Sequence, residues 1–224
     1  MPYILWDWNG TLLDDTAASI GALNALLRRR GLPTVRRAWY RAHFAFPVRN
    51  FYAACGVDLA REDWNALARE YHEAYAALPK RLNVEARAAL TCVRSSGGGQ
   101  SIISALRQDL LDAAVDACGL GGFFDFVYGV NSLDGESKLA RARALLRRLP
   151  ARATAGGVVL IGDALHDQEV AAALGIGCVL CAQGGHSAAR LRAVAPVGAT
   201  LMAALLSARR TGCGLPRVRA GDSP

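Results

Sequence analysis

The sequence predicts an α/β fold, a doubly wound parallel sheet with an all-helical domain inserted near its start. Three observations predict it. From residue 84 onward, short apolar runs alternate with segments of helical period, as in a parallel sheet with crossover helices. Residues 14–83 instead carry helical period almost throughout. The first apolar run, Tyr3 to Trp6, ends at the carboxylate of Asp7, and Gly10 then breaks it. Proteins of this class place their chemistry at the carboxyl ends of strands. The expected division is residues 1–13 and 84–210 for the core, 14–83 for the helical insert and 211–224 for a loose tail.

The elements follow in order. Tyr3–Trp6 is short enough for a buried strand. In Thr16–Arg30, Ile20, Leu23, Leu26 and Leu27 recur at three and four, and Gly31-Leu32-Pro33 ends the helix. Val35–Phe46 reads as a second helix, Val48–Cys55 as a third after Pro47, and Arg61–Leu78 as a fourth with Trp64, Leu67, Tyr71 and Tyr75 along one side. Glu85–Arg94 is helical, Gln100–Ala105 a strand, Leu106–Cys118 a helix and Phe123–Val130 a strand. A polar loop, Ser132–Ser137, leads to a helix over Lys138–Leu149. Gly156–Ile161 is a strand, Gln168–Leu174 a short helix, and Gly177–Cys181 the last clear strand. Helices over Ser187–Val194 and Thr200–Arg210 complete the core.

Composition narrows the function. No apolar run reaches the roughly 18 residues that span a bilayer, and Asp7 interrupts the N-terminal apolar run too early for a signal peptide. A cytoplasmic protein with no membrane partner is expected. The formal charge is +7, carried almost wholly by Arg, with Lys only at Lys80 and Lys138. The arginines are scattered and are not interleaved with aromatics, so no nucleic-acid platform is expected. Solvated helix faces account for them, with a mild benefit for anionic substrates. Cys178 and Cys181 have CxxC spacing, but no second pair follows at zinc-ribbon distance. They lie in an apolar run, where Cys acts as a small hydrophobe.

The residues that carry chemistry lie at the ends of the predicted strands. Asp7-Trp8-Asn9-Gly10-Thr11-Leu12 follows the first, and Ser104 ends Ser101-Ile102-Ile103-Ser104. Lys138 opens a helix after a loop, and in a chain so rich in Arg it indicates that a compact ammonium is wanted there. Val158-Val159-Leu160-Ile161-Gly162-Asp163-Ala164-Leu165-His166-Asp167 is an apolar strand running into two carboxylates that can face one hard cation. Together with Asp7 they make three carboxylates at two strand ends, which would repel one another without a cation.

These four motifs, in this order, resemble those of the haloacid dehalogenase (HAD) superfamily, which consists mostly of Mg²⁺-dependent phosphatases. The loop Gly184-Gly185-His186-Ser187 also looks like that family's loop after its last main strand. The resemblance implies a Rossmann-like core in which residues 14–83 form an α-helical cap that closes over the site and selects the substrate. It implies an enzyme similar to phosphoglycolate phosphatases, hydrolysing a small phosphorylated metabolite. Asp7 is then the nucleophile, forming an aspartyl-phosphate. Mg²⁺ is held by Asp7, Asp163, Asp167 and the backbone carbonyl of Asn9. Thr11, Ser104 and Lys138 bind the phosphoryl group, and Lys138 keeps Asp7 ionised. Arg49 is a candidate for cap contact with substrate, while His43 and His72 read as cap-surface residues.

Two departures matter. Leu139 stands where the family commonly has Pro, and Asn9 stands where its second Asp is usual. That Asp donates a proton to the leaving alkoxide, which an amide does not do at neutral pH. The expectation is a slowed phosphatase, biased to acyl or aryl phosphates or using another proton donor, with Asp14, Asp15 and His166 near the motifs in sequence. The alternative is a degenerate relative that binds Mg²⁺ and phosphate ligands with little turnover. A 2-haloacid dehalogenase on the same fold is disfavoured by the Asp163–Asp167 pair, since dehalogenation needs no cation.

Overall fold

The N-terminal strand is the centre of the molecule. In the computed structural model, which describes residues 1–131, 138–151 and 155–211, β1 (Tyr3–Trp6) lies within a six-stranded sheet with all four side chains buried. Seven strands follow it: β2 (Leu13–Asp14), β3 (Arg81–Leu82), β4 (Gln100–Arg107), β5 (Val127–Val130), β6 (Val158–Gly162), β7 (Gly177–Cys181) and β8 (Val197–Gly198). The large sheet has the order β5-β4-β1-β6-β7-β8, and every neighbouring pair is parallel.

Strand alternation explains why β1 is apolar throughout. Ile4 and Trp6 point to one face of the sheet, Tyr3 and Leu5 to the other. The first pair packs with Ala86 and Leu90 of α5 (Ala86–Ser95), Leu111 and Val115 of α6 (Gln108–Ala117), and Leu205 of the last helix, Leu201–Thr211. The second pair packs with Ala142 and Leu145 of α7 (Lys138–Arg148) and Val170 and Ala171 of α8 (Leu165–Leu174). Helices cover both faces, so neither side of the strand meets water.

Residues between β2 and β3 form the helical block: α1 (Thr16–Arg29), α2 (Arg37–His43), α3 (Val48–Ala54) and α4 (Trp64–Ala77). It has an apolar cluster of its own, built on Leu23, Leu26 and Leu27 of α1, Phe51 and Tyr52 of α3 and Leu67 of α4. Arg30 ties the block further, with its guanidinium 2.7 Å from Glu62 and 2.9 Å from Glu70. The chain enters through β2 and leaves through β3, which pair antiparallel, Leu13 opposite Leu82.

Several boundaries differ from the sequence expectation, each for a local reason. The ribbon β2–β3 and the edge strand β8 have two residues each, too few for any periodicity. The second helix spans only Arg37–His43, and the fourth begins at Trp64, where the Asp63 carboxylate accepts from the N–H groups of Asn65 and Ala66. β4 runs on to Arg107, displacing the start of α6. Gly121–Phe123 forms a 3-10 turn, so β5 starts only at Val127. α8 starts at Leu165, three residues before the expected Gln168. Asp167 therefore belongs to the first turn of a helix and not to a loop. Ser132–Ser137 and residues 212–224 of the expected tail lie outside the described residues.

Candidate active site

Parallel register brings the first two carboxylates together. Trp6 pairs with Ile161, so Asp7 and Asp163 leave adjacent central strands, and the Asp7 N–H donates to the Ile161 carbonyl at 2.9 Å. Asp167 joins them one helical turn on. Its carboxylate accepts from the N–H groups of Asp163 (3.1 Å) and Ala164 (3.0 Å), which fixes it against the N-terminus of α8. Asp7, Asp163 and Asp167 are all buried, with carboxylate oxygens within 4.8 Å of one another.

Lys138 is the counter-charge. It is the first residue of α7 and only 3% exposed. Its Nζ donates to Asp7 Oδ1 and to Asp167 Oδ1, at 2.5 Å each. Burial alone would lower its proton affinity, but Asp167 and Asp7 raise it, so the ammonium stays charged. Asp163 has a separate support, a 2.5 Å hydrogen bond from the Gly185 N–H to its Oδ2. A Cβ at Gly10 or Gly184 would overlap the Asp163 carboxylate, so bare backbone closes around it, and Gly10 also needs its positive φ of 76°. Sequence reasoning placed Gly10, Gly184 and Gly185 in motif loops but did not foresee that they close around Asp163. The signal was there, in glycines that follow strand ends, Gly10 after β1 and Gly184-Gly185 after β7.

Charge makes the cluster incomplete as it stands. One ammonium offsets one of three carboxylates. Burial pushes the Asp7 carboxyl up to about 7 against the pull of Lys138, with Asp167 adding to the rise. Burial, Asp7 and Asp167 hold Asp163 well above the usual carboxylate range. Three buried hard oxygen donors with surplus negative charge fit a small divalent cation such as Mg²⁺.

The phosphate-binding candidates border the cluster. Thr11 is buried, and its hydroxyl acts on Asp7 to lower its pKa. Ser104 is buried two residues past Ile102, the partner of Trp6, and so lies at the same sheet end as Asp7. Its Oγ accepts from the Leu106 N–H at 3.0 Å, which leaves its proton to donate. Arg49 is exposed on α3, with its guanidinium over the Trp64 ring, 4.5 Å from the centroid.

The Asn9 amide nitrogen has both of its donors engaged. It donates to Asp15 Oδ2 (2.8 Å) and to the Tyr75 hydroxyl (3.0 Å), and that hydroxyl donates to the same Asp15 oxygen (2.6 Å). Asp15 also accepts from the Gly10 N–H at 2.8 Å. Burial raises the Asp15 carboxyl, while Tyr75, Asn9 and Gly10 oppose the rise. Of the three acid–base candidates near the motifs, Asp15 is thus brought against the loop after β1. Asp14 pairs with Arg81 at 2.9 Å, and His166 lies 3.2 Å from Glu169. His186 accepts from the Leu165 N–H, and burial lowers its pKa to about 4, so it is neutral.

A doubly wound sheet carrying a carboxylate–lysine cluster across the ends of its central strands defines the class: a Rossmann-like hydrolase of the phosphatase kind. The chain belongs to the haloacid dehalogenase-like hydrolase family, whose model matches residues 4–181. It is 29% identical over 198 residues to the phosphoglycolate phosphatase of Caulobacter vibrioides, covering 81% of this chain and 79% of that one. It is 23% identical over 201 residues to "Probable phosphatase IndB" of Dickeya dadantii, covering 87% of each. Among solved structures, a haloacid dehalogenase-like hydrolase from Streptococcus pneumoniae superposes with a TM-score of 0.75 at 19% identity, over 92% of this chain and 98% of that one. Among the described residues, no helix is long and apolar enough to cross a membrane.

Proposed function

We propose that this protein is a Mg²⁺-dependent phosphatase that hydrolyses a small phosphorylated metabolite through an aspartyl-phosphate on Asp7, with residues 14–83 acting as the cap. The observation that carries the reading is the Lys138 ammonium held at 2.5 Å from both Asp7 and Asp167, with Asp163 in the same buried cluster. A site that only binds phosphate has no use for a buried, oriented carboxylate at its centre.

The residues divide the work as follows. Asp7, Asp163, Asp167 and the Asn9 carbonyl would hold the cation. When bound, the cation neutralises charge on the phosphoryl oxygens and keeps Asp7 ionised near neutral pH. Asp7 attacks phosphorus, the P–O bond to the leaving group breaks, and an acyl phosphate forms on its carboxylate. Lys138, Thr11 and Ser104 donate to the phosphoryl oxygens. Water then attacks the phosphorus and releases Asp7 and inorganic phosphate. Asn9 carries no proton for the departing oxygen, so turnover favours leaving groups that are stable as anions. General acid catalysis is worth ~10²–10⁴-fold, and aryl and acyl phosphates should outpace alkyl phosphates by a factor of that order.

The test is phosphate release from an aryl, an acyl and an alkyl phosphate, with Mg²⁺ or a chelator, and identification of the phosphorylated residue after acid quenching. Release that needs Mg²⁺ and a label on Asp7 are the expected results. Release that persists in the chelator, or a label elsewhere, would overturn the reading.

Stability should follow the same charges. Asp7, Asp15 and Asp163 have carboxyls raised in the folded state. The native protein then keeps protons that the unfolded chain has released, so metal-free stability falls as pH rises from ~4 to ~7. Mg²⁺ at ~100 times its Kd adds ~2.7 kcal/mol at neutral pH, which is ~5–10 °C in Tm for a chain of this size. Melting curves across pH, with chelator and with Mg²⁺, measure both effects. Metal-free stability that rises over that pH window would contradict the charge arrangement.

A further inference from the structure

The helical block meets the sheet domain along a seam beside Asp163. On one side is α2 with Tyr40, Arg41 and, just past its end, Phe44. On the other is the loop after β7, which runs to Ser187 at the head of a short helix, Ala188–Arg192. The last carbonyls of a helix have no partner within it. Here the sheet domain supplies the donors. The Arg41 carbonyl accepts from the Ser187 N–H at 3.0 Å and from Arg190 Nη1 at 3.3 Å, and the Phe44 carbonyl accepts from Arg190 Nη1 at 2.8 Å. In return Arg41 Nη2 donates to the carbonyls of Ala182, at 2.5 Å, and of His186, at 2.8 Å. Arg41 thus holds the loop on both sides of Gly184 and Gly185.

The middle of that loop supports a carboxylate of the cluster. The Gly185 N–H donates to Asp163 Oδ2. A Cβ placed on Gly185 would stand 3.3 Å from that oxygen, 3.7 Å from Phe44 Cδ1 and 3.9 Å from Tyr40 Cε1. Gly185 is therefore one layer of backbone between the Asp163 carboxylate and two aromatic rings of the helical block. Phe46 makes a parallel contact, with its ring 4.9 Å from that of His166, the residue before Asp167.

We infer that Arg41 is a positioning residue for the cation: by holding the loop after β7 against Tyr40 and Phe44 it sets the Gly185 N–H that aims Asp163, so that docking of the cap and binding of Mg²⁺ favour each other. This rests on the part of the reading above in which Asp7, Asp163 and Asp167 hold the cation. Coupling of this kind is reciprocal. A cap that lets go of the loop weakens the metal site, and a bound cation tightens the seam. Charge alone predicts the reverse for Arg41. Burial and Arg37 lower its proton affinity while the charge of Asp163 raises it, so the guanidinium lies within electrostatic reach of that carboxylate. Deleting a positive charge there would by itself strengthen the binding of a cation.

The experiment is calorimetric titration of Mg²⁺ into substrate-free wild type, Arg41→Ala, Arg41→Lys, Arg190→Ala and Arg81→Ala. Arg41→Ala should bind Mg²⁺ ~10-fold more weakly, as when a group that orients a metal ligand is lost. Arg41→Lys keeps a donor for the loop carbonyls and should recover most of that affinity. Arg190→Ala should shift it in the same direction by a smaller factor. Arg81→Ala, exposed and paired with Asp14 in the β2–β3 ribbon, should leave it unchanged. Unchanged or tighter binding in Arg41→Ala would overturn the inference, and so would equal weakening in Arg81→Ala, which would assign the effect to any disturbance of the cap. Hydrogen exchange on wild type needs no variant to fold. Mg²⁺ should slow exchange over residues 37–44, which hold no cation ligand, and protection confined to the sheet domain would overturn the coupling. Wild type that binds no Mg²⁺ removes the cation reading and this inference together, whereas binding that Arg41 does not affect removes the inference alone.

Discussion

Asp7→Asn will lose at least ~10⁴-fold in kcat on every phosphate ester while the protein stays folded. The amide is nearly isosteric and still accepts from Lys138, but it does not attack phosphorus. Its effect on stability should have the opposite sign. Asp7 is one of three carboxylates sharing one ammonium, and burial already pushes it up to about 7. Removing its charge relieves the repulsion it exerts on Asp163 and Asp167. Metal-free Asp7→Asn should therefore melt no lower than metal-free wild type above pH 7, and should gain less from Mg²⁺. The pair of measurements is kcat with Mg²⁺ and Tm with chelator. Residual activity within ~10-fold of wild type would remove Asp7 as the nucleophile.

Asn9→Asp will behave differently from a simple repair. The new carboxylate would stand where the Asn9 amide now donates to Asp15 at 2.8 Å. A half-buried carboxylate would face the buried one of Asp15, with the Tyr75 hydroxyl donating to the latter. Losing a donor and adding a like charge at such a site costs ~2–4 kcal/mol, or ~4–16 °C in Tm, at neutral pH. The double variant Asn9→Asp/Asp15→Asn restores one amide and one carboxylate in exchanged positions. It should recover most of that stability and gain up to ~10²–10⁴-fold on an alkyl phosphate, the usual worth of a general acid. Equal Tm in the single variant and wild type would mean that Asn9 and Asp15 are not coupled. A double variant no faster than wild type would mean that position 9 does not limit turnover.

The sequence made β1, β6 and the carboxylates after them legible because each apolar run stops at an acid with a glycine close by, Gly10 after Asp7 and Gly162 before Asp163. The doubly wound sheet was legible too, since strand and helix periods alternate cleanly from Gln100 to Cys181. Lys138 was legible as one of only two lysines, positioned at a helix start. The rest of the site depends on contacts between distant positions. Tyr75 is 60 residues from Asp15, and nothing in either segment marks the pairing. Arg41 is spaced like part of any solvated helix face, and only the fold brings it against the loop after β7. The ribbon β2–β3 is too short to carry a period, so the way the helical block joins the sheet was invisible.

The position of β1 has a consequence for biosynthesis. The strand precedes both of its partners in the chain, yet it lies inside the sheet and needs a neighbour on each side. One neighbour, β4, pairs Gln100 with Ile4. The other, β6, pairs Val158 with Tyr3, 155 positions later in the chain. One edge of an apolar strand thus stays open until β4 is made and the other until β6 is made, and parallel pairing over such separations is slow. The nascent chain is exposed to aggregation for longest at the segment that leads into Asp7, and shielding that segment during translation should govern how much folded protein a cell obtains.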